Sequence, residues 1–445
     1  MITLAGFANI GRIPELRQRF LFTLGMLAVY RVGIFVTIPG VDREVMKAVI
    51  SKQGGGLLGL FNMFSGGGLG NLSIFALGIM PYVTASIVFQ LFTMVFKPLD
   101  DLRKEGEQGY RKINQYTRYA TIVLALLQGF FIATGFEGVS NQDLGGSAMG
   151  EVVLHGGWSF RLMSMLTLTT GTAFMMWVGE QITERGIGNG ISLIIFAGIV
   201  TDIPAGVINY FKTNQGNIQP LNVAAVVLII LMTVATVVFF EGGQRRIPIF
   251  YARRTVGRRI YGGHQAHLPL RVNTAGTIPP IFASSLLMFP ATLANYKIPG
   301  MADLQAVLQR GDWLFNVLYV FLIVFFCYFY TAVTFQAVEV ADNLKKQQAF
   351  IPNIRQGKQT ANYIDAVLTK ITLGGALYVA AVCVVPSIVG GLFRVPFRWG
   401  GTSIMIVVGV ALDTVNQIEA YLISRNYDGL SDGGGHVTKV HGRRT

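Results

Sequence analysis

The chain has 445 residues, of which 52% are hydrophobic and only 13% charged, with a formal net charge of +13 at pH 7. That balance excludes an ordinary set of soluble domains and makes a bilayer the expected solvent. Cys327 and Cys383 fall in apolar runs and the five histidines in polar ones, which excludes a disulfide framework, a metal site and an intramembrane imidazole relay.

At the amino terminus, Arg12, Arg17 and Arg19 precede an apolar run over 21–39 that ends Val-Thr-Ile-Pro-Gly. A cleavable leader would end in small residues, so this run is read as a retained first span; about 20 residues suffice to cross roughly 30 Å of hydrocarbon. Further apolar runs at 74–96, 119–136, 162–178, 187–208, 223–240, 275–293, 314–335, 366–389 and 402–423 bring the expected total to ten spans. Cytoplasmic segments carry the excess of Lys and Arg. With ten spans, one set of alternating segments holds 26 of these cations and the other 9, Arg31 lying inside the first span. Both chain ends are therefore expected on the cytoplasmic side. The predicted fold is an all-α polytopic membrane protein: a cytoplasmic segment 1–20, an amino-terminal half 21–210, a carboxy-terminal half 211–423 and a flexible cytoplasmic tail 424–445.

The second run reads Gly78-Ile-Met-Pro81-Tyr-Val83-Thr-Ala85-Ser86 and the seventh Gly276-Thr-Ile-Pro279-Pro-Ile281-Phe-Ala283-Ser284. The fifth and tenth begin with glycine-rich polar turns, Gly188-Asn-Gly-Ile-Ser192 and Gly400-Gly-Thr-Ser-Ile404. Spans one to five and six to ten thus read as two copies of one unit. An odd number of spans per copy forces opposite orientation, the inverted repeat whose interface commonly forms a transport path. A solute transporter would place ionisable groups near the midplane, but the span interiors offer almost none. Arg31 reads either as a cation paired or hydrated for packing or as part of a path, and Asp413 and Glu419 lie near the cytoplasmic end of span ten. Beside the helix-breaking residues sit Ile79, Val83, Ile191, Ile195, Ile281 and Ile406, and a ring of β-branched side chains makes a narrow, dewetting constriction.

The segment Leu57 to Leu72 is apolar but too short and glycine-rich to span. It reads either as a re-entrant segment or as a mobile stopper. Two long basic loops follow on the cytoplasmic side. The first, 241–272, carries Arg245, Arg246, Arg253, Arg254, Arg258, Arg259 and Arg271; the second, 336–370, carries Lys345, Lys346, Arg355, Lys358 and Lys370. Anionic membrane lipids and a docked RNA or protein are both partners for such charge.

Five stretches then carry a resemblance: Phe61-Asn-Met-Phe-Ser-Gly-Gly67, Ser73-Ile-Phe-Ala-Leu-Gly-Ile-Met-Pro-Tyr82, the run from Gly179 to Ser192, Ala341-Asp-Asn-Leu-Lys-Lys346 and Gly400-Gly-Thr-Ser403. They closely resemble the SecY family, the main subunit of the bacterial protein-conducting channel, over essentially all of the chain from Pro14 to Tyr427. The resemblance implies ten helices in two inverted halves around a central pore in the bacterial cytoplasmic membrane. Such a channel passes unfolded secretory chains outward and releases hydrophobic segments into lipid. It implies that the six β-branched residues named above form the pore ring, and that Leu57, Leu60, Phe61, Met63, Phe64, Ser65, Gly66, Gly67, Gly68 and Leu69 belong to the plug. It further implies that Thr84, Gln128 and Asn273 are polar contacts of a lateral gate between spans two and three and spans seven and eight. The basic loops resemble docking sites for the ribosome and the SecA motor, with Arg355 at a critical position followed by Gln356 where the family often has proline. SecE, SecG, signal peptides and nascent chains are the other implied partners. No phosphate-binding Gly-x-x-x-x-Gly-Lys-Ser/Thr motif occurs, so the energy is expected from a partner, and neither a cofactor nor enzyme activity is expected.

Overall fold

The computed structural model describes residues 13–42, 45, 62–137, 153, 156–213, 220–251, 254–256, 259–261, 265–294, 313–392 and 401–431. In chain order the elements are α1 (Pro14–Gly33), α2 (Met80–Val95), α3 (Lys97–Lys104), α4 (Glu107–Glu137), α5 (Trp158–Arg185), α6 (Gly190–Thr213) and α7 (Pro220–Glu241). Strands β1 (Gln244–Tyr251), β2 (Arg254–Val256), β3 (Arg259–Tyr261) and β4 (Gln265–Arg271) follow. The chain continues through α8 (Ile278–Ala294), α9 (Trp313–Thr334), α10 (Ala337–Lys346), β5 (Ala349–Phe350), α11 (Lys358–Leu392) and α12 (Gly401–Ser431). Every apolar run predicted to span overlaps one of these helices. Among the described residues five are long and apolar enough to cross a membrane: α4, α5, α9 continued by α10, α11 and α12. The pair α2 and α3 passes the same test only when taken together, and it is bent by 96° between them, as in a broken span or a re-entrant loop. The helices α6, α7 and α8 contain the shorter apolar stretches Gly190–Pro204, Val227–Glu241 and Ile278–Leu287.

The boundaries differ from the apolar runs for local reasons. Helices α2 and α8 start at Met80 and Ile278, later than 74 and 275, because Gly78 (φ +56°) and Gly276 (φ +63°) adopt the left-handed conformation that glycine tolerates best. Pro81 and Pro279 then occupy the first helical turn, where no backbone N–H is needed. Helix α1 ends at Gly33, not 39. After a turn at Ile34 and Phe35 the chain pairs with the segment before α2: the Ile38 N–H donates to the Leu72 carbonyl and the Ile74 N–H to the Val36 carbonyl, each at 2.9 Å. At the other end, α6 continues past 210 to Thr213 and α12 past 423 to Ser431.

Packing follows the repeat. In the first half α1 lies against α5 and α6, α2 against α4, α4 against α5, and α5 against α6. In the second half α7 lies against α11 and α12, α8 against α9, α9 against α11, and α11 against α12. Shifting every element by one repeat maps the first set onto the second. The halves meet through α2 with α8 and through α6 with α12. Large apolar side chains such as Leu228, Leu231 and Met232 on α7 and Val317 and Phe321 on α9 face outward. Lipid or a neighbouring helix covers such a surface in a membrane.

The two basic loops fold into one cap. Strand β1 pairs antiparallel with β4 along Gln244↔Arg271 to Phe250↔Gln265, and its far end pairs with β5 through Phe250↔Phe350. Ile247, Ile249 and Leu270 pack beneath it against Leu344, Ile364 and Val367 of α10 and α11. Pro248 fits because β5 pairs only with the last residues of β1, leaving that side of Pro248 without a ladder partner among the described residues.

Candidate pore, plug and docking surfaces

The proposed ring residues converge on one apolar core. Ile79 and Val83 come from the turn into α2 and its first turn, Ile191 and Ile195 from α6, Ile281 from α8 and Ile406 from α12; all but the half-buried Ile191 are buried. Gly179 of α5 lies beside two of them: a Cβ built on it would meet Ile191 Cγ1 at 3.4 Å and Ile79 Cδ1 at 3.6 Å, ordinary contact distances. Asn189 starts α6 by accepting the Ile191 and Ser192 N–H groups on its Oδ1 at 3.1 and 3.4 Å, which fixes the first turn from which Ile191 projects.

Residues 62–72 of the expected plug segment are described; Leu57, Leu60 and Phe61 lie outside the described residues. Met63, Phe64, Ser65, Gly66, Gly68 and Leu69 are buried, Gly67 is half-buried, and Met63, Phe64 and Leu69 join the same apolar core as the ring. A short segment buried there must satisfy its own backbone. It does so through two side chains that the sequence reading did not single out for this role. Asn62 Oδ1 accepts the Gly70 N–H at 2.6 Å, and Ser65 Oγ accepts the Leu69 N–H at 3.2 Å while donating to the Asn62 carbonyl at 3.1 Å. The segment is also tied to both halves. Tyr30 Oη and Arg31 Nη1 of α1 donate to the Ser65 and Gly66 carbonyls at 3.2 and 3.0 Å. From α12, Ser403 Oγ donates to Met63 Sδ at 3.0 Å. The sequence marked Ser403 only as part of a motif, and the Tyr30-Arg31 dipeptide only by its charge.

The three residues expected at a lateral gate make no hydrogen bond to one another among the described residues. Asn273 donates to Glu241 Oε1 at 2.6 Å and to the Gly276 carbonyl at 3.0 Å, and accepts the Gly276 N–H at 3.1 Å, so it braces the turn into α8 against the end of α7. Thr84 Oγ1 donates to the Met80 carbonyl of its own helix at 3.0 Å. Gln128 Oε1 on α4 and Gln90 Oε1 on α2 are buried without a partner among the described residues. A link between the halves that the sequence did not signal is Arg103 of α3, whose Nη2 donates to the Val333 carbonyl in the last turn of α9. A cation suits that helix end, where carbonyls lack partners.

On the cap formed by the basic loops, Arg245 and Arg246 on β1, Lys345 and Lys346 in the last turn of α10, and Arg355 beyond β5 are exposed. Arg254 and Arg259 lie in the paired strands β2 and β3, through Arg254↔Tyr261 and Val256↔Arg259. Arg253 and Arg258 lie outside the described residues. Gln356 closes the loop that presents Arg355: its Nε2 donates to the Ala349 carbonyl at 3.2 Å, and Thr360 Oγ1 donates to the Arg355 carbonyl at 2.8 Å. A side-chain bond here restrains the loop where the family often has a proline ring.

The family model for SecY matches residues 73–415. The chain is 47% identical over 424 residues to the protein translocase subunit SecY of Escherichia coli (strain K12), covering 94% of each chain. The chain belongs to the SecY family. The SecY of Rickettsia typhi is 46% identical over 420 residues, covering 94% of this chain and 96% of that one. Among solved structures, a protein-conducting channel aligns with TM-score 0.65 at 15% identity, over 95% of this chain and 99% of that one. A SecY whose plug domain stabilises the closed state and maintains a membrane seal aligns with the same TM-score, identity and coverage. Sec61 from a canine ribosome-channel complex aligns at TM-score 0.61 and 14% identity, over 95% of this chain and 99% of that one. At such identities the likeness is one of fold, and it gives this SecY-family chain the architecture of those channels.

Proposed function

We propose that this chain is the pore-forming subunit of a protein translocase, passing unfolded secretory proteins across a membrane and releasing apolar segments sideways into lipid. As a channel subunit it is not an enzyme. The observation that carries the reading is the apolar segment 62–72, packed into the same core as the β-branched ring at the junction of the two halves, in a SecY-family chain. Such a ring grips no ligand and so suits cargo of variable chemistry. The decisive experiment is reconstitution of the purified complex with a presecretory protein carrying an arrested tag. Crosslinks from the translocating chain to Ile79, Val83, Ile191, Ile195, Ile281 and Ile406 are expected; crosslinks that avoid all six would refute the assignment.

The mechanism follows from the two helix-on-helix contacts that join the halves among the described residues. Helices α6 and α12 meet on one side, where Gly188 N–H donates to Gln417 Oε1 at 2.9 Å and Leu16, Ile187 and Ile418 form a small apolar cluster. On the other side α2 meets α8. A signal sequence parts the second contact and leaves the first as the hinge. The unpartnered Gln90 and Gln128 oxygens on the gate helices support that reading, because they penalise the closed gate and offer acceptors to an arriving polar group. Gln128→Leu is therefore expected to stabilise the closed gate by about 1–3 kcal/mol and to slow signal-peptide insertion, read as the lag before translocation of a fluorescent substrate.

The partners in this reading are the ribosome and the SecA motor on the cytoplasmic cap, with the small subunits SecE and SecG against the outward apolar faces. The location is the bacterial cytoplasmic membrane with both chain ends in the cytoplasm, supported by the 26 to 9 cation asymmetry. Arg355→Glu places like charge against an anionic partner at an exposed loop. It is expected to abolish motor-driven translocation while leaving the complex folded, measured by protease protection of the substrate alongside the thermal midpoint of the complex.

A further inference from the structure

We propose that Tyr30 and Arg31 act as a clasp that holds the plug in its closed seat, so that two hydrogen-bond donors on α1 set how often the resting channel opens. The proposal rests on the reading of 57–72 as a plug. Tyr30 and Arg31 are consecutive, and they donate to the consecutive carbonyls of Ser65 and Gly66 at 3.2 and 3.0 Å. What they hold is therefore plug main chain, independent of plug side chains.

The seat is built to aim both donors. The Tyr30 ring, buried to 1% exposure, lies near-parallel to Phe75 with centroids 6.3 Å apart, and Phe75 stacks on Phe174 of α5 at 5.8 Å. Phe75 reaches that position only because Gly33 has no side chain, since a Cβ there would stand 1.9 Å from its Cε2. The Arg31 guanidinium also lies over the Phe35 ring at 5.7 Å. On the plug side, Gly66 has φ +64°, and a Cβ on it would stand 2.3 Å from Tyr30 Oη and 3.0 Å from Gly198 Cα of α6. The turn thus presents its carbonyls to α1 while its back lies flush against α6. A guanidinium in an apolar helix needs a partner or water, and the Gly66 carbonyl supplies one only while the plug is seated. When the plug leaves, water in the opened pore replaces that carbonyl, so the clasp is reversible.

The test uses the full complex in planar bilayers, with Cys327 and Cys383 replaced by alanine. The plug position is reported by a disulfide between Met63→Cys and Ser403→Cys, positions where Ser403 Oγ lies 3.0 Å from Met63 Sδ. Losing a hydrogen bond to a charged group shifts an equilibrium roughly ten- to a hundredfold. Arg31→Met is expected to raise resting open probability by about that factor and to lower the disulfide yield. Tyr30→Phe gives a smaller change in the same direction, and Arg31→Lys, which keeps a charged donor, restores most of the closure. Deletion of 57–72 is run beside them. If the deletion conducts while Arg31→Met and Tyr30→Phe leave conductance and disulfide yield at wild-type values, the clasp is wrong and the plug reading stands. If the deletion is silent in a folded complex, the plug reading fails and the clasp with it. Should Arg31→Met not assemble, Tyr30→Phe, which removes a single hydroxyl, decides the question by the same two readouts.

Discussion

Gly190→Val is expected to leave no folded channel to purify. Gly190 opens α6, and a Cβ there would stand 1.9 Å from the Gly179 carbonyl oxygen and 2.9 Å from Ile182 Cβ, both on α5. The obstruction is main chain, so no rotamer change relieves it, and α6 must move away from α5. That movement would take Ile191 and Ile195 out of the ring and break the Gly190 N–H bond to Thr183 Oγ1 at 2.9 Å. Ordinary overpacking costs about 1–3 kcal/mol; a forced separation of two backbones exceeds it, in proteins whose whole margin is about 5–15 kcal/mol. The same reasoning applies in the second half, where a Cβ on Gly401 at the start of α12 would stand 1.8 Å from the Val382 carbonyl oxygen. Gly25 of α1 is the control, since an added Cβ there meets nothing within 4 Å. Gly25→Ala should keep full yield and gain up to about 1 kcal/mol of helix propensity. Size-exclusion recovery and the thermal midpoint of the complex measure both, and a Gly190→Val channel recovered with a wild-type midpoint would show that the α5–α6 contact is not required.

Deletion of residues 57–72 is expected to turn a silent channel into a flickering one. The described part of this segment contributes Met63, Phe64, Leu69 and Leu72, exposed by 5% or less, to the core that also holds Ile79, Ile195, Ile281 and Ile406. Removing it leaves the ring as the sole constriction, and a ring of β-branched side chains excludes ions only while it stays dry. Intermittent wetting then appears as brief openings in single-channel records at fixed voltage. The intact channel should stay closed under the same voltage, because the segment and its clasp fill the space beyond the ring. Silence in a folded deletion variant would remove the argument for a plugged aqueous pore.

Much of this was legible in the chain because it rests on local rules. Gly78 with Pro81 and Gly276 with Pro279 announced matching breaks, and both glycines prove to be left-handed turns ahead of a proline-started helix. The apolar runs predicted the helices, since hydropathy over about 20 residues is decided by sequence alone, and each run overlaps one of them. Other features needed partners distant in sequence. The two basic loops read as separate loops, yet β1 and β5 pair across about a hundred residues into one sheet, because Phe250 and Phe350 meet only once α10 and α11 have packed. The sequence did not signal the partners of Asn273, which are Glu241 and Gly276, a choice made by where α7 ends.

By itself the sequence determined a bilayer-spanning chain of two related halves, its apolar ring candidates and its family, because hydropathy and glycine-proline turns act within a few residues of where they are written. Only the tertiary structure decided which carbonyl Arg31 meets and why Gly33, Gly66, Gly190 and Gly401 carry no side chain. Those answers depend on which main-chain atoms lie within a few ångströms after the helices pack, and no periodicity along the chain encodes that distance.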